Sequence, residues 1–440
     1  MKIRSFVHIV ILCSLTSEYV VAQSVTDTLQ TGIVYERINS LSDPDKSYAL
    51  FLPEDYDREQ LFPVVFLMDP RGAAMRPMGL FKDIADSLGY VLVSSWDTRS
   101  DTDPQLTINA LNAMLQDVLN NLYVALDRVY LAGFSGTARM SWDFALELPD
   151  NVAGVISFGA GTGQGFEFES LSRGEDRSFA YFGSSGFYDF NYFEMLQLDR
   201  LMEEYDFNYK LRFFEGGHQW PPKEIAEEAL SFMHLMAMNE GGIEQDSRFL
   251  KRAWELEGEV SKEILNSEDL YRLWRHQASL LRNYPAEMIT GSLKEEQVRL
   301  EERLRASGET ALIEKLMDDY FSFLKFMFQQ FNDLSTIEDP PPAVVFAELL
   351  RVNDLKERLD REEHLYKKRQ AAIFLELIRV HTLFYQTNAY LESGRYQHAR
   401  TMVETAALIR KDALLCRQQV RIYTALGDDK MLEQSRKCED

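Results

Sequence analysis

Between residue 32 and about residue 237, short runs rich in Val, Leu, Phe and Tyr alternate with helix-like stretches, and this alternation limits the fold more than any other feature. Strands are predicted at 48–52, 64–68, 91–95, 129–132, 154–158, 179–182 and 210–214. Helical patterns lie between them, at 81–88, 108–122 and 193–205. Such an order calls for a mainly parallel sheet flanked by helices, an α/β fold. The runs at 64–68 and 129–132 are apolar throughout, as strands buried on both faces must be.

After Glu240-Gly241-Gly242 the pattern changes. Strand signals nearly vanish, and long helical stretches rich in Leu, Glu, Arg and Lys take over. The expected organisation is one α/β domain over 23–240 and an all-α domain over 241–440. Asp339-Pro340-Pro341-Pro342 reads as a linker or tight turn. Near the end, the segment 389–396 is echoed by 422–429. Tyr390 and Tyr423 stand 33 residues apart, as do Gly394 and Gly427. That period suggests tetratricopeptide-like helix pairs over about 380–436, with Ala399 and Ala406 where helices cross. An ordinary helical bundle is the alternative.

Residues 1–22 have the form of an export signal. Lys2 and Arg4 precede an apolar run from Phe6 to Leu15, and Val20-Val21-Ala22 resembles a cleavage site. The run is too short for a permanent membrane span, and no other stretch suits one. The expected location is periplasmic or secreted. Leu12 ahead of Cys13 argues against lipidation there. After cleavage, Cys416 and Cys438 remain, as one disulfide or as two thiols. The net charge of -23 disfavours nucleic acid as a partner. Most of that charge, -19, falls within residues 23–240, where a polyanionic substrate would be repelled.

The chemistry concentrates in three segments. Residues 129–137 read Val-Tyr-Leu-Ala-Gly-Phe-Ser-Gly-Thr, an apolar strand running into a turn with a helical pattern after it. A serine at such a strand-to-helix turn is presented as a nucleophile, and the turn needs small neighbours. Gly133 and Gly136 meet that need, and Thr137 stands where a second motif glycine is usual. Ser135 is the candidate nucleophile. His218, in Gly216-Gly217-His218-Gln219-Trp220-Pro221 after the last strand, is the candidate base. His234 lies within a helical pattern and reads as structural. Asp189 follows the strand at 179–182 and precedes His218, which suits the acid that fixes the imidazole tautomer; Asp176 and Asp206 fit less well. Two oxyanion donors are required. The Gly136 N–H is one. The other is expected from Asp69-Pro70-Arg71-Gly72, with Arg71 ahead of Gly72 because Pro70 has no N–H. Phe134, Phe187, Tyr188 and Trp220 are expected to shape the pocket.

In these segments the chain resembles the α/β-hydrolase superfamily. The Gly-Gly-His-x-Trp-Pro form around His218 looks like the secreted esterase branch that includes polyhydroxybutyrate depolymerases and feruloyl or acetylxylan esterases. The resemblance covers roughly residues 45–237. It departs at Thr137 and at Asp69-Pro70, where that branch usually has His-Gly. It implies hydrolysis of small or carbohydrate-linked carboxylic esters through an acyl-enzyme, with no cofactor or metal. A serine peptidase is the alternative enzyme. A protein-binding module that works through the helical half is the alternative of another kind. The helical half has no counterpart in those esterases and is expected to bind a protein partner or restrict access to the site.

Overall fold

The computed structural model describes residues 29–148, 151–163 and 179–438. The export segment at 1–22, Cys13 and Asp176 lie outside them. Eight strands form one sheet: β1 (Val34–Asn39), β2 (Ser47–Phe51), β3 (Phe62–Met68), β4 (Val91–Ser95), β5 (Val124–Phe134), β6 (Val152–Phe158), β7 (Ala180–Gly186) and β8 (Tyr209–Phe214). Their spatial order is β1-β2-β4-β3-β5-β6-β7-β8. β2 runs antiparallel to both its neighbours, β1 and β4; from β4 through β8 every pairing is parallel. This is the α/β-hydrolase arrangement.

Side chains alternate across a strand, so each strand feeds two cores. On β3, Val65 and Leu67 face one core, while Val64, Phe66 and Met68 face the other. Helices α1 (Met75–Leu88) and α5 (Lys223–Asn239) cover the first face. Helices α2 (Pro104–Asn121), α3 (Gly136–Glu147) and α4 (Tyr192–Glu204) cover the second. The parallel register pairs Met68 with Gly133, Phe134 with Phe158, and Phe158 with Ser184. It therefore brings the chain after β3, β5, β6, β7 and β8 to one edge of the sheet, where ligands bind in open α/β folds.

The second half is helical: α6 (Ser247–Asn266), α7 (Leu270–Asn283), α8 (Gly291–Ser307), α9 (Glu309–Ser335), α10 (Ala343–Leu349), α11 (Val352–Arg361) and α12 (Leu365–Val380). A π-helical turn, His381–Gln386, leads into α13 (Thr387–Glu392), followed by α14 (Tyr396–Ile409), α15 (Ala413–Leu426) and α16 (Asp429–Arg436). Asp246, Asp269, Thr290, Asp412 and Asp428 each accept a backbone N–H at a helix start, which satisfies donors that the helix cannot. The prolines at 340–342 form the turn between α9 and α10. The echoing segments are each a helix end, a left-handed glycine (Gly394 φ 73°, Gly427 φ 68°) and the start of the next helix. Ala399 and Ala406 are fully buried on α14. Cys416 and Cys438 are joined as a disulfide, with Cα atoms 5.8 Å apart.

The halves share one core. The apolar cluster that holds α2, α3 and α4 continues through Tyr271, Leu316, Tyr320, Tyr366 and Phe374. Lys210 and Arg212 are buried on edge strand β8, and Lys210 bridges the seam. Lys210 pairs with Glu228 of α5 at 2.7 Å and with Glu257 of α6; Arg212 pairs with Glu228 at 2.9 Å. Burial alone would raise the Glu228 carboxyl, but Arg212 and Lys210 hold it below its usual range. Arg275 of α7 likewise binds Asp199 of α4 at 2.6 Å and Glu203. Buried charges persist only when paired in this way.

Candidate functional site

Ser135 sits between β5 and α3 with φ 56° and ψ -125°, a backbone region that non-glycine residues rarely occupy. The turn lifts its Oγ away from the sheet. Thr137 explains its own departure from the usual motif. Its hydroxyl is placed to donate to the Met68 carbonyl at 2.7 Å or the Phe134 carbonyl at 2.8 Å, and it accepts the Phe134 N–H at 3.2 Å. A glycine would leave that lacing out.

His218 lies within reach of both partners. Its Nε2 is 2.8 Å from Ser135 Oγ, and its Nδ1 is 3.0 Å from each oxygen of Asp189. With the proton on Nδ1, the ring donates to Asp189 and accepts the serine hydroxyl. Asp189 is fully buried, and its Oδ1 also accepts the Asn191 N–H at 2.9 Å. The loops that carry acid and base are laced together: the Phe187 N–H donates to the Phe214 carbonyl at 2.8 Å, and the Tyr188 N–H to the Gly216 carbonyl at 2.9 Å. A Cβ at Gly186 would run into the Gly216 carbonyl, so this approach needs glycine. His234 is elsewhere, packed against Tyr90 and Phe249, and burial lowers its pKa to about 4.

Four residues expected to shape the pocket are distributed differently. Tyr188 is 39% exposed beside the base loop and free to meet a substrate. Phe134 is buried with its ring 4.7 Å from the His218 ring and 5.4 Å from Trp220, so it supports the base from below. Trp220 is also buried, and its Nε1 donates to Asp69 Oδ2 at 2.9 Å. Phe187 points the other way, between the guanidinium groups of Arg272 (4.5 Å) and Arg369 (4.0 Å) of the helical half. Interior packing thus holds the rings of Phe134, Phe187 and Trp220, with that of Phe134 against His218.

The oxyanion expectation also needs correction at Arg71. Its N–H donates to Asp69 Oδ1 at 2.8 Å, the Ala73 N–H to the same oxygen at 3.1 Å, and the Gly72 N–H to the Asp69 carbonyl at 3.1 Å. Asp69 is 4% exposed, so its carboxylate must be satisfied inside the protein, and this loop satisfies it. The Gly136 N–H stands at the start of α3 with no acceptor among the described residues. It is open to a developing oxyanion, aided by the helix N-terminus.

Two supports were not legible in the sequence. The ring of Phe190, rather than that of Phe187, lies against the His218 imidazole, with centroids 4.2 Å apart. Arg139 of α3 binds Glu194 of α4 through two nitrogens, at 2.6 and 2.8 Å, and so ties the helix after Ser135 to the helix after Asp189. No group of His, Cys, Asp and Glu among the described residues could hold a metal.

No protein-family model matches the chain, and no curated protein matches it. Among solved structures it is similar to an S-formylglutathione hydrolase from Staphylococcus aureus, with 14% identity and a TM-score of 0.35. That match covers 47% of this chain and 96% of the other. It is also similar to a ferulic acid esterase, 16% identical over 46% of this chain and 96% of the other, with a TM-score of 0.36. A bacterial heroin esterase is 14% identical over 48% of this chain and 86% of the other, with a TM-score of 0.37.

Proposed function

We propose that this chain is a serine hydrolase that cleaves carboxylic esters through an acyl-enzyme. The observation that carries the reading is the unbroken relay from Ser135 Oγ to His218 to Asp189, at 2.8 and 3.0 Å. In this mechanism His218 Nε2 takes the Ser135 proton as Oγ attacks the ester carbonyl. Asp189 holds the tautomer and stabilises the imidazolium, and the Gly136 N–H binds the oxyanion. The imidazolium then gives its proton to the departing alcohol. Water, deprotonated by the same nitrogen, releases the acid and restores the serine.

Small or carbohydrate-linked neutral esters suit the site better than polyanions, because the surrounding half of the chain is strongly acidic. The helical half acts at the rim as a selector by size. Tyr385 is 42% exposed on the π-helical turn, and burial and the charge of Asp101, on the loop after β4, raise its pKa, with Arg139 of α3 opposing. Export of the chain agrees with the disulfide, since such bonds persist in oxidising compartments. A panel of p-nitrophenyl esters, methyl ferulate and acetylated xylo-oligosaccharides tests the proposal, with short peptides as the opposing arm. Ester turnover supports it; cleavage of peptides alone would overturn it in favour of a peptidase.

A further inference from the structure

An oxyanion hole needs a second donor, and in the loop after β3 the N–H groups of residues 71, 72 and 73 are already engaged. Residues 71, 72 and 73 all donate to Asp69, and residue 70 is proline. Freeing the Arg71 or Ala73 N–H would take a bond from the Asp69 carboxylate, which is 4% exposed. A donor from another element would leave these bonds intact.

We propose that Ser100, on the loop after β4, is that donor, through its side-chain hydroxyl. The proposal rests on the serine hydrolase reading. Ser100 packs directly on Gly136, the residue whose N–H faces the oxyanion. A Cβ at residue 136 would collide with Ser100 Cβ and lie 3.2 Å from Ser100 Oγ. Glycine at 136 is thus what lets the Ser100 hydroxyl approach the first donor. The loop around it is fixed. Ser100 N–H donates to the Pro70 carbonyl at 3.0 Å, and Thr98 Oγ1 donates to the Asp69 carbonyl at 2.8 Å. Arg99 N–H donates to Thr107 Oγ1 at 2.8 Å, and that hydroxyl donates back to the Arg99 carbonyl at 2.7 Å. The backbone that carries the hydroxyl is thus fixed, and only the O–H must turn when charge develops.

The hydroxyl itself remains free to turn. Its acceptor among the described residues is Asp101 Oδ2, at a long 3.3 Å. Asp101 is exposed, so water screens its charge and can replace that bond. An oxyanion between Gly136 N–H and Ser100 O–H is the better acceptor once the tetrahedral intermediate forms.

The test is Ser100→Ala beside Ser100→Thr, each assayed with p-nitrophenyl butyrate and with a trifluoromethyl ketone, whose adduct with the serine carries the same oxyanion. Ser100→Ala is expected to lower kcat about 10²-fold with KM little changed, and to weaken the ketone by a similar factor. Ser100→Thr, which keeps a hydroxyl, should recover most of both. Melting of the two variants should match the wild type. If Ser100→Ala melts normally and stays within about threefold of wild type in kcat and in ketone affinity, Ser100 is not the donor. That result would leave the hydrolase reading standing. A wild type that neither turns over esters nor binds the ketone removes the reading, and the role of Ser100 with it.

Discussion

The Tyr320 hydroxyl donates to the Phe190 carbonyl at 2.9 Å, and through this bond a helix of the second half reaches the residue that follows Asp189. The Phe190 ring lies tilted against His218, with centroids 4.2 Å apart. On the other side of Asp189, Arg272 and Arg369 clamp Phe187 between them. The acid's loop is thus gripped on both sides by residues outside the α/β half. Tyr320→Phe keeps the ring against Phe193 and deletes only the hydrogen bond, worth about 1 kcal/mol net. A fall of about fivefold in kcat is expected, with KM unchanged and normal melting. An unchanged kcat would mean that the loop holds its geometry without Tyr320.

Removing the helical half should be severe. A fragment ending near residue 240 loses Glu257, a partner of buried Lys210, and uncovers the apolar face of α4. The change at Gly241-Gly242 suggests a separable domain that binds partners or gates access, in which case the fragment would keep small-ester activity. The shared core leads to the opposite expectation: an insoluble fragment, or a soluble one with broad melting and no activity. A cooperatively folded, active fragment would show that the seam is dispensable.

Asp189→Asn should lower kcat by about 10³–10⁴-fold, because an amide stabilises the wrong imidazole tautomer. Asp206→Asn serves as the control. Asp206 lies beyond α4, in a left-handed turn (φ 54°), and makes no contact with His218 among the described residues. Near-normal activity in Asp189→Asn with a dead Asp206→Asn would reverse the assignment.

Stability should fall on acidification. Burial at the seam lowers the His276 pKa to about 4 from an ordinary 6.5, and its Nε2 bonds Ser261 Oγ at 2.9 Å. Glu257 nearby favours the charged form, while Lys210 and Arg212 oppose it. A depressed folded-state pKa contributes stability that is full above about pH 6.5 and is lost as pH falls toward 4. The loss from this one residue is of the order of 3 kcal/mol. Melting temperatures between pH 7.5 and 4.5 should drop, and more steeply for wild type than for His276→Gln. Parallel curves would place the acid sensitivity elsewhere, for example at His234 or His381, both also lowered to about 4 by burial.

The sheet and the Ser-His-Asp set were legible because each leaves a local trace: apolar runs for strands, and glycines around Ser135 and His218. Strand β1 was missed because it is an edge strand, partly exposed, with Tyr35-Glu36-Arg37 breaking any apolar run. The role of Arg71 was misjudged because a free N–H there depends on where the Asp69 carboxylate turns, and Trp220, 151 residues away, decides that. Phe187 and Phe190 lie close together in one loop and are equally aromatic, so only the tertiary path shows which ring meets His218. One overlooked signal for the joined halves did exist. Lys210 lies within a strand, and such a cation calls for carboxylates packed against it, here Glu228 and, across the seam, Glu257.

The most direct test of the central claim is covalent labelling of the full chain by a fluorophosphonate, read by intact mass and peptide mapping. The wild type should take up one equivalent on the peptide containing Ser135. Ser135→Ala should take up none, with kcat lower by roughly 10⁴-fold or more and unchanged melting. Labelling that persists in Ser135→Ala, or maps to another serine, would contradict the account.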